Sequence, residues 1–139
     1  MVVNSLFATT AVIETGAGLA LLCLPSAAAN LLLGTPLEAS AAFTVARVGG
    51  AGLLTLGVAC WLARGDAKSS AARGLVTAMV IYNLGVAVIL GAAGIGSDRV
   101  GVVLWPAVVL HTVMTAWGIW CIVSVQYLTQ VEEPENLRQ

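Results

Sequence analysis

The chain has 139 residues, of which 59% are hydrophobic and 9% charged, with a mean hydropathy of +0.96 and a net charge of −1. A soluble domain has roughly a quarter of its residues charged, so too few charged groups remain here to cover a water-facing surface. Without a basic field to attract phosphates, nucleic-acid binding is excluded as well. The length accommodates one integral membrane domain over residues 1–139, with about four spans of ~20 residues each.

The first apolar segment runs from about Ser5 to Leu24 and stops at Pro25. Pro25-Ser26-Ala27-Ala28-Ala29 looks like a signal-peptide cleavage region, but no Lys or Arg precedes the apolar run, and the run is long for a signal. An uncleaved helix is therefore expected. Ala27–Leu33 is apolar but too short to span, so it is placed at the membrane interface and ended by Gly34-Thr35-Pro36. The second span covers about Ser40–Ala63, followed by the polar turn Arg64-Gly65-Asp66-Ala67-Lys68-Ser69-Ser70. The third covers about Ala71–Ala93 and the fourth about Val100–Val125, with the turn Gly94-Ile95-Gly96-Ser97-Asp98-Arg99 between them. A polar tail, about residues 130–139, is expected to fray. The fold class that follows is an all-α, up-down four-helix transmembrane bundle.

Arg64, Lys68 and Arg73 cluster in and beside the second loop, whereas the first loop carries only Glu38 and the third Asp98 with Arg99. The positive-inside rule then places the second loop, and with it both termini, in the cytoplasm. Trp61 and Trp120 near the inner ends and Trp105 toward the outer end suit interfacial depths; Trp117, a turn deeper than Trp120, does not.

Each span carries polar or ionisable groups well inside it: Glu14, Arg47, Tyr82-Asn83 and His111. Such groups are costly in lipid and normally face the bundle interior or a watery cavity. At 1.5 Å per helical residue, Glu14 lies ~16 Å below Pro25, Asn83 ~16 Å below Gly94 and His111 ~15–18 Å below the start of its span. Arg47 lies higher, ~10 Å below Ser40, but has a long side chain. Small residues flank two of these groups: Ala11, Ala17 and Gly18 beside Glu14, and an Ala42-Ala46-Gly50 ladder beside Arg47. Such residues let membrane helices approach closely.

The candidate ligand-binding set is therefore Glu14, Arg47, Tyr82, Asn83 and His111. Glu14 is expected within direct or one-water reach of Arg47, His111 or Asn83. The best-supported pair is Glu14 with Arg47, either as an ion pair that sets helix register or as part of a binding or proton-handling site; a neutral, protonated Glu14 is the third option. His111 is read first as a hydrogen-bond partner of Glu14, Asn83 or Tyr82, and otherwise as a proton relay. No cofactor is expected. Haem on His111 would need a second axial histidine from a neighbouring copy, and Met114 shares a helix face with His111 and could not oppose it. No metal site is expected, because Cys23, Cys60 and Cys121 show no ligand spacing; they are read as small apolar residues. No catalytic motif is present: Asp66 and Asp98 lie in loops far from His111, and Glu14 is the one acid inside a span. The catalytic candidates are thus limited to Glu14 and His111 acting as acid and base.

Glu14-Thr15-Gly16-Ala17-Gly18, the proline-terminated end at Pro25 and Arg47-Val48-Gly49-Gly50 resemble small four-helix bacterial membrane proteins of the DoxX-like kind. The resemblance implies a four-helix bundle in the bacterial inner membrane and partnership with other membrane proteins; it supplies no catalytic residue. Three roles are weighed. The first is an accessory or structural subunit or self-associating bundle, with membrane lipid and further membrane chains as partners. The second is a binder or carrier of a small or lipid-like ligand in the polar cavity, and the third a small intramembrane acid–base enzyme. The first leads, since ~140 residues leave little room for alternating access and no inverted repeat of broken helices is visible.

Overall fold

The computed structural model describes residues 2–124 in full and the helical backbone as far as residue 136. The polar tail expected at about 130–139 lies outside the fully described residues. Among the described residues five helices follow one another: α1 (Val2–Cys23), α2 (Pro25–Leu33), α3 (Ser40–Ala63), α4 (Ser70–Ile95) and α5 (Leu104–Asn136). The segments Val2–Cys23, Ser40–Ala63, Ser70–Ile95 and Leu104–Ser124 are long and apolar enough to cross a membrane. A helix meets all its interior backbone hydrogen bonds within itself, which is what lets such segments leave water.

Local chemistry sets the ends. Pro25 opens α2 at a position where its missing N–H is not needed. Gly34 closes α2 in the left-handed conformation, φ 77°, donating its N–H to the Asn30 carbonyl. The Ser69 hydroxyl caps α4 by accepting the Ala72 N–H at 3.0 Å. The fourth span starts later than residue 100 because residues 101–103 are used in docking: Gly101 lies against the Leu31 backbone, and Val103 N–H donates to the Leu31 carbonyl at 3.1 Å. Pro106 consequently falls in the first turn of α5.

The bundle is built from two tight antiparallel pairs, α1 with α3 and α4 with α5, with α2 lying across one end. Glycine makes the first pair possible. A Cβ on Gly18 would stand 2.7 Å from both the Gly50 carbonyl oxygen and the Leu54 amide, and one on Gly50 would stand 2.8 Å from the Gly18 carbonyl oxygen. The helix backbones therefore touch where larger residues would hold them apart.

Between the pairs lies a core of Leu6, Phe7, Ala11, Cys60, Val76, Met79, Met114 and Cys121, with Trp117 packed against it. That contact accounts for the tryptophan that sits too deep for an interfacial belt. Cys60 and Met79 meet sulfur to sulfur at 3.6 Å, joining α3 to α4. The three cysteines are free thiols, Cys23 exposed and the other two buried. The outer surface is apolar, with Val12, Val45, Leu62, Ile89, Val109 and Trp120 all exposed. Buried polar groups and an apolar exterior are what a lipid environment selects.

Candidate functional site

The buried stripe of α1 is Leu6, Phe7, Thr10, Ala11, Glu14 and Gly18, a 3–4-residue repeat that places Glu14 on the inward face. Glu14 is 2% exposed and accepts a hydrogen bond through Oε2 from the Tyr82 hydroxyl of α4 at 3.1 Å.

Tyr82 and Asn83 are consecutive on α4, and successive helical residues point about 100° apart. Tyr82 turns to α1 and Asn83 to α5. The Asn83 Nδ2 donates to the Met79 carbonyl at 2.8 Å, one turn back. Because that carbonyl can only accept, the amide orientation is settled, and Oδ1 faces His111 Nδ1 at 2.7 Å. His111 Nδ1 therefore donates, and in the neutral form of the ring Nε2 carries the lone pair. The Thr115 hydroxyl donates to the His111 backbone carbonyl at 2.8 Å. The Tyr82 and His111 rings meet edge to face, centroids 5.8 Å apart and planes at 83°.

Four of the five expected residues are thus brought together: Glu14, Tyr82, Asn83 and His111. The partner of Glu14 is Tyr82, not His111 or Asn83. Arg47 is not in the cluster. It is exposed on the outward side of α3, and among the described residues no ion pair joins it to Glu14. The α1–α3 register explains the separation. Gly18 meets Gly50 and Leu54, while Gly57 meets Thr15 and Ala11. Glu14 is therefore level with the stretch from Leu54 to Gly57. Arg47 lies 7–10 residues from that stretch, ~10–15 Å along the axis. The small-residue ladder and the arginine also divide the helix between them: Gly50 meets α1, and the long side chain points away.

One participant was not foreseen, and one residue that spacing already puts on the Glu14 face has a distinctive setting. The Met79 carbonyl orients Asn83, a backbone role that residue types do not reveal. The Thr10 hydroxyl, one turn from Glu14 on the same stripe, is 1% exposed with no hydrogen-bond partner among the described residues.

Chemically, the cluster is two hydrogen-bonded pairs meeting through a ring contact. Glu14–Tyr82 joins α1 to α4, and Asn83–His111 joins α4 to α5. The Tyr82 ring stands between the carboxyl group and the imidazole, so no continuous hydrogen-bond path links the two acid–base candidates among the described residues. No group of three His, Cys, Asp or Glu able to hold a metal ion occurs there either.

The fold and this cluster define a bundle of helices, four of them long and apolar enough to cross a membrane, with a polar cluster inside and an apolar exterior. No family model, curated protein or solved structure matches the chain.

Proposed function

We propose that the protein is a multi-pass component of the bacterial inner membrane that works as an accessory or structural subunit, or as a self-associating bundle. In this reading the polar cluster fastens the helices rather than turning over a substrate. The observation that carries it is the outward Arg47. The four clustered residues bond to one another inside the bundle, while Arg47, the basic side chain well within a span, faces away from it. A charge at that position is unfavourable in lipid by a few kcal/mol unless it reaches the surface or meets an opposite charge. A neighbouring membrane chain with a carboxylate at that level supplies one. This agrees with the resemblance to DoxX-like proteins, which implies such partnership.

Native mass spectrometry from nanodiscs tests the proposal. The expected result is a discrete oligomer or a co-purified membrane protein that is lost in Arg47→Leu while the variant bundle keeps its thermal stability. A monomer with no partner, unchanged in Arg47→Leu, overturns it.

A second reading, a binder of a small polar or lipid-like ligand, is favoured by one observation. The Thr10 hydroxyl, one turn from Glu14, is buried without a partner among the described residues, and such a group is normally satisfied by water or a ligand. The same spectra discriminate: a retained non-lipid mass that disappears in Thr10→Val supports a ligand held at the cluster.

A further inference from the structure

At the end of the bundle where Arg64, Lys68 and Arg73 emerge, a cavity of about 140 Å³ opens between α1, α4 and α5. Val3, Val76, Ile122 and Cys121 form its apolar walls, and Arg73 lies at its rim. Arg73 is exposed and, among the described residues, its guanidinium makes one long hydrogen bond, 3.3 Å, from Nη1 to the Lys68 carbonyl. A guanidinium carries five N–H donors in a fork that matches phosphate oxygens. Lys68 stands beside it in the preceding turn, also exposed. An apolar recess with Arg73 in its lining and a second exposed cation, Lys68, in the adjoining loop is complementary to one chemical class: an anionic amphiphile.

We infer that this cavity is a binding site for an anionic phospholipid, with the phosphate on Arg73 and Lys68 and part of one acyl chain among Val3, Val76 and Ile122. The site is remote from the Glu14 cluster and independent of how that cluster functions. Its ligand comes from the leaflet around the bundle, so the cavity is filled laterally and no aqueous entry is needed. Cys121 is buried in the cavity wall, so its slow modification reports access to the recess.

The test uses the full chain in nanodiscs of either phosphatidylglycerol or phosphatidylcholine with identical acyl chains. Native mass spectrometry should show phosphatidylglycerol retained in preference to phosphatidylcholine. Arg73→Gln should reduce that retention about tenfold, the loss expected for one charge-assisted contact. Arg64→Gln should leave it unchanged, because Arg64 packs over the Trp61 ring, 3.4 Å from its centroid, and does not line the cavity. In a chain with Cys23 and Cys60 replaced by Ala, a small methanethiosulfonate reagent should modify Cys121 more slowly in phosphatidylglycerol than in phosphatidylcholine, and Arg73→Gln should abolish the difference. Equal retention of the two lipids overturns the site. So does equal loss in Arg64→Gln and Arg73→Gln, which would mean unspecific attraction to a basic surface. Protection of Cys121 by inorganic phosphate alone overturns the lipid assignment. Should Arg73→Gln fail to fold, Val76→Phe, which fills the recess and leaves the charges, must lower retention and protect Cys121 in both lipids.

Discussion

Tyr82 and Glu14 are hydrogen-bonded at 3.1 Å across 68 residues of sequence, and this contact joins the α1/α3 pair to the α4/α5 pair. Tyr82→Phe keeps the ring against His111 and removes the donor alone. Interhelical hydrogen bonds within membrane proteins contribute about 0.6 kcal/mol on average and at most about 1.7. The variant should lose stability within that range when unfolded from mixed micelles, and a Glu14→Gln/Tyr82→Phe cycle should show coupling of the same size. Zero coupling would mean that the two side chains do not meet.

Glu14 and Arg47 should behave as independent sites. Groups farther apart than roughly 7–10 Å with no shared partner add to within about 0.3–0.5 kcal/mol. Stabilities of Glu14→Gln, Arg47→Met and the double variant should therefore sum. A double variant more stable than either single one would bring Arg47 back to the carboxyl group and contradict the register of α1 on α3.

The glycines divide into two kinds. Gly50→Leu puts a side chain into the α1 backbone, where overpacking costs about 1–3 kcal/mol. Gly52→Leu, two residues on, meets nothing within 4 Å and should be tolerated. Melting temperatures of the two variants in one detergent decide this. Equal behaviour would show that α1 and α3 do not touch at Gly18 and Gly50.

The tautomer of His111 is set by Asn83. Nitrogen-15 NMR of the single histidine should find the proton of the neutral ring on Nδ1. Asn83→Ala removes the acceptor and should shift the proton population toward Nε2. A wild-type spectrum with the proton on Nε2 would require the amide to be reversed, with its oxygen against the Met79 carbonyl.

The Lys and Arg around the second loop predict an orientation. Cysteine introduced at position 68, in a chain without its native cysteines, should react only with reagents that reach the cytoplasmic side. Labelling from outside would reverse the topology and place both termini outside.

Much of the architecture was legible in the residues. Four long apolar runs interrupted by Gly-, Pro- and Ser-containing turns specify four helices, because a backbone in lipid must bond to itself. The same logic marks Glu14, Arg47, Tyr82, Asn83 and His111 as inward groups, since polar side chains on an apolar helix are stable where another helix can meet them; it holds for all but Arg47, which is exposed. Periodicity on α1 places Glu14 on the stripe that also carries Thr10, Ala11 and Gly18.

Who meets whom was decided by tertiary structure. Depth counted along each helix from its own end assumes equal starting levels, but the helices are staggered against one another. Gly18 on Gly50 sets the stagger of α1 against α3, and that contact moves Arg47 ~10–15 Å from the carboxyl group it was expected to pair with. Composition also cannot say which way a long side chain turns when one side of its helix is taken up by backbone contact at Gly50. The choice of Tyr82 over Asn83 as the partner of Glu14 follows from the 100° between neighbouring positions on α4, once α1 lies on one side and α5 on the other. Sequence determined which groups are costly to leave in lipid; packing of backbone on backbone determined that four of them are brought together inside the bundle, which of them touch, and that Arg47 faces outward.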